Sequence, residues 1–399
     1  MNPSPVESAP LTVVTAQSPP PNPRLMQAIE DLYDGDFQAR WDAAKVIQTF
    51  GLQAVEPLLA TVQNCGSGDP DDADPDDELL WFLARIFGDW RSPRALTALA
   101  DLLATTTDDD TVAMVGKALA KQGSAAIPLL QDMADNAARK KVAYRALACI
   151  SHPDVLPILQ TAATDTDADV RVIALDVLGH WRAPLAAELL VAALGDGVAA
   201  VRQVAIAGLS AQLTLATESD DDAGERDVWL NALGARLEDS DLAVAERAAL
   251  ALSRSKSALA ATMLGERLQV ASVPANLQCA IARSLVWIAT PHSLTHLQAA
   301  LPQLEPAACH EVIAALGRLE TLDLRPLATD LLLDVLAYYP ALSVESRAAL
   351  AHSLGLLSET RALPVLQQLS RDSEERVQWH AIAALERLSV PLQTDCEVG

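Results

Sequence analysis

The chain has 399 residues, a formal net charge of −24, half of its residues hydrophobic and only 4% aromatic. Such acidity repels a nucleic-acid backbone or an anionic membrane surface over most of the molecule, which argues against both as partners. No apolar run approaches the ~18 residues that span a bilayer, and residues 1–24, rich in Pro, Ser and small residues, lack the basic start and apolar core of a secretory signal.

Residues 1–24 read as a disordered tail on a cytoplasmic protein. The folded part begins near Leu25, where Leu25, Ile29 and Leu32 take helical spacing and Asp34-Gly35-Asp36 supplies an acidic turn. Arg40-Trp41-Asp42-Ala43-Ala44-Lys45 then opens one helix, Phe50-Gly51 ends it, and Val55-Glu56-Pro57-Leu58-Leu59 opens the next. The last phrase returns as Ile127-Pro128-Leu129-Leu130, Leu156-Pro157-Ile158-Leu159 and Leu363-Pro364-Val365-Leu366. Proline is tolerated in a first helical turn because its missing donor would be unpaired there anyway. These prolines therefore mark the starts of second helices.

First helices carry their own signature. Asp167-Ala168-Asp169-Val170-Arg171 leads to Ala174 and Leu178, and Val201-Arg202 leads to Ala205 and Leu209, 31 residues later at each matched position. A period of this length means a solenoid of helix pairs, none of which buries its apolar face alone. The pattern predicts an all-α, right-handed superhelix over residues 25–390, with units near 36–64, 76–104, 111–136, 138–164, 167–195, 198–238, 241–270, 276–303, 307–339 and 343–370. A lone helix at about 374–390 closes the stack, and 391–399 form a flexible tail. Acidic insertions at 65–78 and 215–227, carrying −7 and −5, read as mobile surface loops. Asp167 with Arg171, Arg202 and Arg347 reads as a charge ladder between neighbouring repeats.

The acidic turn, Val-Arg, helix pair and proline-opened second helix resemble HEAT repeats, in particular the short phycobilisome-lyase HEAT-like subtype, over roughly residues 25–390. Arg40-Trp41-Asp42-Ala43-Ala44 is similar to the opening repeat of such proteins. The resemblance implies an armadillo-like scaffold that binds proteins. It also implies an alternative, a bilin lyase subunit or a chaperone for phycobiliproteins, in which case a bilin or phycobiliprotein would be bound. The hydroxylases of the HEAT class hold two irons on four His-Glu dipeptides; this chain has one, His310-Glu311, so that site cannot be assembled.

No motif of catalysis is present, and no catalytic residue is assigned. His292 and His296 share a helix face beside Pro291 but lack a third ligand at recognisable spacing, so no metal is expected. Five cysteines, Cys65, Cys149, Cys279, Cys309 and Cys396, form no C-x-x-C pair, which fits buried thiols in a reducing compartment. Of the tryptophans, Trp41, Trp81, Trp229, Trp287 and Trp379 read as packing residues. Trp90 and Trp181, in matching Trp-Arg-x-Pro phrases, are the two most apt to be partly exposed and available to a partner, although inter-repeat packing is the preferred reading for them too.

The sequence thus indicates a non-enzymatic scaffold without a cofactor, whose second helices line a concave surface. Its expected contact residues are Glu188, Glu266, His296, Asp330, Asp334 and Gln367, with Trp90 and Trp181. Their acidic bias calls for a protein partner with a basic or amphipathic surface.

Overall fold

The computed structural model describes residues 22–65, 77–106, 108–181, 184–215 and 223–389, and all regular structure within them is helical. Residues 1–21, 66–76, 216–222 and 390–399 lie outside these, and with them both tails and the centres of both acidic insertions. Two compact units make up the chain, residues 1–155 and 156–399. The sequence reading had no boundary there.

In the first unit a lone helix, Pro23–Asp34, precedes the pairs Phe37–Phe50 with Val55–Cys65, Asp77–Gly88 with Pro93–Thr105, and Asp109–Gln122 with Ile127–Ala134, followed by Lys140–Ala148. The first helix starts at Pro23, two residues ahead of the expected Leu25, because Asn22 caps it through a 2.9 Å bond from the Arg24 amide and Pro23 sits in its first turn. The second unit opens on Leu156–Ala162. It continues through pairs beginning at Ala168–Gly179, Ala199–Leu215, Leu242–Arg254, Ala275–Ile288, Pro306–Leu316 and Val344–Leu357, and closes on the lone helix Glu375–Ser389. Asp77 and Glu78, and likewise residues 223–227, belong to helices rather than to the loops assigned from their charge. Asp and Glu are favourable in a helix's first turn, where they face its positive dipole end, so acidity alone did not separate loop from helix start.

In several repeats the acidic turn supplies the helix cap. Asp36 accepts from the Ala39 amide at 2.9 Å, Asp108 from Thr111 at 2.7 Å and Asp241 from Val244 at 3.1 Å. Where the first helix ends, Gly51 and Gly123 take positive φ (55° and 67°), a conformation other residues rarely adopt, and a 3₁₀ turn leads into the second helix. First helices then pack on first helices of the next repeat, Asp77–Gly88 on Asp109–Gln122 and Ala168–Gly179 on Ala199–Leu215. The second contact is close enough that a Cβ on Gly179 would stand 2.7 Å from the Gly208 Cα.

In the helices that start at Ala168, Ala199 and Val344, an arginine near the start of the first helix ties this contact. Arg171 forks onto Asp196 with Nε and Nη2 both at 2.8 Å, while its Nη1 donates to the Asp165 carbonyl. Arg202 does the same to Asp239 (2.9 and 2.6 Å) and the Asp196 carbonyl, and Arg347 to Asp372 (2.7 and 2.9 Å) and the Leu342 carbonyl. Asp167 is not a rung: it caps its own helix through the Asp169 amide. Where the repeat carries another residue, the bond changes with it. Gln278 donates to the Val273 carbonyl and accepts from the Glu305 amide, His310 meets the Ser346 hydroxyl at 3.1 Å, and the buried Ala245 has only a methyl side chain to offer the contact.

Burial works against ionising Asp196 and Asp239, but the bonded guanidinium and a backbone amide outweigh it, and both carboxyls lie below the usual range. For Asp372 the Arg347 guanidinium is the main cause. The folded chain therefore binds these protons more weakly than the unfolded one. Their contribution is complete above the ordinary carboxylate pKa of about 4 and is lost as the pH falls below it. Thermal midpoints should drop on acidification through this window, and less steeply in Asp239→Asn. Asp239→Ala, which strands Arg202, should cost about 3 kcal/mol in denaturant unfolding, whereas removing the exposed Lys121–Asp89 pair should leave the midpoint unmoved.

Candidate functional site

First helices stack on one another, and in the second unit successive second helices are bridged by polar contacts. From Ala258–Leu268, the Thr262 hydroxyl lies 2.9 Å from His292 Nε2 on Pro291–Ala300. From that helix, Gln298 donates to Asp334 at 2.6 Å on Arg325–Tyr338, and Asp330 is gripped by Arg361 at 2.7 and 2.8 Å. Glu188, Glu266 and Gln367 are exposed; His296, Asp330 and Asp334 are half-buried. The second helices thus hold Glu266, His296, Asp330 and Asp334 on successive rows, while Glu188 and Gln367 lie on the helices before and after them.

His292 and His296 face one another as the four-residue spacing requires, with Nε2 atoms 3.3 Å apart. Burial and the neighbouring His292 hold His296 below the usual histidine value, against the opposing pull of Glu266. Among the described residues no group of three or more His, Cys, Asp or Glu side chains converges as a metal site would require. His310 and Glu311 diverge, one to Ser346 and the other to Arg283 at 2.9 Å. Cys309 is buried, which pushes its thiol up to about 11.

The matched Trp-Arg-x-Pro phrases are structural. Trp90 is 6% exposed and packs edge-on against Phe87, so it is not available to a partner; Trp181 is half-buried. Each phrase presents carbonyls that a glutamine of the next first helix clamps: Gln122 donates to those of Gly88 and Trp90, and Gln212 to those of Gly179 and Trp181. The conspicuous exposed tryptophans are instead Trp287 (65%) and Trp379 (68%), both on first helices. The repeat register contained that signal. Leu277, Ile281, Leu285 and Ile288 fill the inward positions of their helix, which leaves Trp287, four after Arg283, on the outward one.

Helix pairs stacked first helix on first helix define an all-α solenoid. The model of the HEAT-repeat family matches residues 72–148 and again 135–210, so this stretch consists of HEAT repeats. No curated protein matches the sequence. Among solved structures, Kap95p, described with RanGDP, is similar at a TM-score of 0.51 and 15% identity, over 91% of this chain and 62% of that one. That likeness is one of fold. The complex of CpcE and CpcF of phycocyanin lyase from Nostoc sp. PCC7120 gives a TM-score of 0.33 at 26% identity, over 40% of this chain and 99% of that one. Human deoxyhypusine hydroxylase gives 0.29 at 19%, over 66% and 95%. No helix among the described residues is long and apolar enough to cross a membrane.

In an NMR titration of the histidines, His296 should titrate below about 6.5, the value of a free imidazole. Replacing His292 by Ala should move it upward, because a like-charged neighbour is removed; an unchanged value would assign the whole effect to burial.

Proposed function

We propose that this protein is a non-enzymatic HEAT-repeat scaffold that binds a protein partner along its second helices. The observation that carries this reading is the set of polar bridges joining successive second helices from Thr262 to Asp330. These bridges hold acidic and amide groups in place at a face not covered by neighbouring repeats, so less side-chain freedom is lost when a partner docks. Kap95p, by its description, binds RanGDP, and a role of that kind, one folded array engaging another protein, is what the shared fold supports here. Specificity comes from the side chains that this chain places on the face, where Glu188, Glu266, Asp330 and Asp334 outnumber the cations. A basic or amphipathic helix suits it, its cations meeting these carboxylates and its apolar side lying between the helices.

The reading is tested with a labelled, lysine-rich amphipathic helical peptide of about 20 residues. Its anisotropy should report saturable binding that weakens as salt rises, and Asp330→Lys with Asp334→Lys should weaken it at least about tenfold, or 1.4 kcal/mol. Binding indifferent to both salt and charge reversal would remove this face as the site.

A further inference from the structure

The opposite side of the repeats, formed by first helices, carries a different surface. On Ala275–Ile288, Trp287 stands 65% exposed beside a cleft of about 640 Å³ whose floor includes Val286, Ala315 and Leu319. Lys256, Arg283 and Arg318 edge it. Arg283 also borders a neighbouring hollow of about 500 Å³ that holds Leu250, 52% exposed, and Arg247. The two hollows meet at Arg283, with Trp287 lining one and Leu250 the other, and together they make up the groove considered below.

Its charge runs against that of the chain. Acidic residues outnumber Lys and Arg by 53 to 29 overall, yet the groove has four cations to three acids, Glu246, Glu311 and Glu320. One acid and one cation offset each other, since Glu311 accepts from Arg283 Nε at 2.9 Å, which leaves Lys256, Arg247 and Arg318 against Glu246 and Glu320. The backbone is unusual at the same place. Three non-glycine residues among those described have positive φ, and two of them, Lys256 (50°) and Ala289 (54°), line this cleft. Such conformations cost about 1 kcal/mol or more each and tend to gather at functional sites. Here they turn the chain sharply after one first helix and after the next, which leaves the cleft open between them.

We infer that this groove is a second interaction surface, which takes an acidic, extended segment of a partner protein with two bulky apolar side chains about three residues apart. Charge complementarity with Lys256, Arg247 and Arg318 selects Asp and Glu on the segment. Trp287 and Leu250 select the apolar residues, because adjacent packed helices lie ~8–10 Å apart and an extended chain covers that distance in about three residues. Tryptophan and arginine are also among the residue types most enriched where binding energy concentrates at an interface. The protein would then join two partners of opposite charge, a basic one on the second helices and an acidic one on the first.

The test uses the full chain and a labelled peptide of about a dozen residues, Asp and Glu throughout apart from a Phe and a Leu three positions apart. Anisotropy should show saturable binding. Trp287→Ala and Arg318→Glu should each weaken it at least about tenfold, Arg318→Lys should restore most of it, and a Gln/Asn version of the peptide should bind more weakly. Trp287 and Arg318 are both exposed, and circular dichroism of each variant will confirm that it is folded. Failure of the acidic peptide to bind, or equal binding by Trp287→Ala, overturns the inference. So does sedimentation showing that the wild-type chain self-associates and that Trp287→Ala abolishes this, since the groove would then belong to a second copy of the chain.

Discussion

The stack depends on one bond pattern: a guanidinium that reaches across a repeat boundary to the carboxylate of the next acidic turn. Arg171 with Asp196, Arg202 with Asp239 and Arg347 with Asp372 each make two parallel bonds to the carboxylate and a further one to a carbonyl of the preceding turn. A buried ion pair of this kind is weak evidence of net stability, because desolvating both charges offsets most of the attraction. It does specify alignment. A first helix displaced by one turn, about 5.4 Å, would leave Arg202 and the nearly buried Asp239 without partners. Apolar contact between Ala-rich and Leu-rich faces would tolerate such a slip far better.

That division of labour explains how the surface is apportioned. Where arginine is absent, Gln278 and His310 link neighbouring repeats with neutral or weakly charged bonds, and Ala245 leaves the task to packing. The exposed first-helix surface at these weaker boundaries, around Leu242–Arg254, Ala275–Ile288 and Pro306–Leu316, is also where the cationic groove lies. Arginines there, such as Arg247, Arg283 and Arg318, are turned outward rather than into a rung. Glu266, Asp330 and Asp334, by contrast, stand on second helices. The two proposed surfaces accordingly differ in charge, with carboxylates on the second helices and Lys256, Arg247 and Arg318 beside the first.

Much of this was legible in the chain itself. The recurrence of Val-Arg, the prolines at 57, 128, 157 and 364 and the acidic caps located first and second helices, because each of these signals acts within a few residues and depends little on what lies beyond. The polar residues of the second helices, Glu188, Glu266 and Gln367 among them, could be read as outward for the same reason. The acidic segments around 65–78 and 215–227 were harder to divide, since carboxylates suit both a solvated loop and a helix's first turn. The Trp-Arg-x-Pro phrases left two roles open. For Trp90 packing, rather than exposure to a partner, is what the fold shows, since Gln122, from the following repeat, clamps its carbonyl as its ring packs on Phe87.

The sequence by itself determined the helices, their caps, their pairing and the presence of a repeated arginine, because these follow from local hydrogen bonding and the periodicity of apolar residues. Only the tertiary structure decided which carboxylate each arginine meets, which tryptophans are covered and how Lys256, Arg283 and Arg318 gather around the cleft beside Trp287. Those outcomes depend on contacts between residues 25 to 44 positions apart. Their geometry is set by how closely one helix pair seats against the next, and no short stretch of sequence contains it.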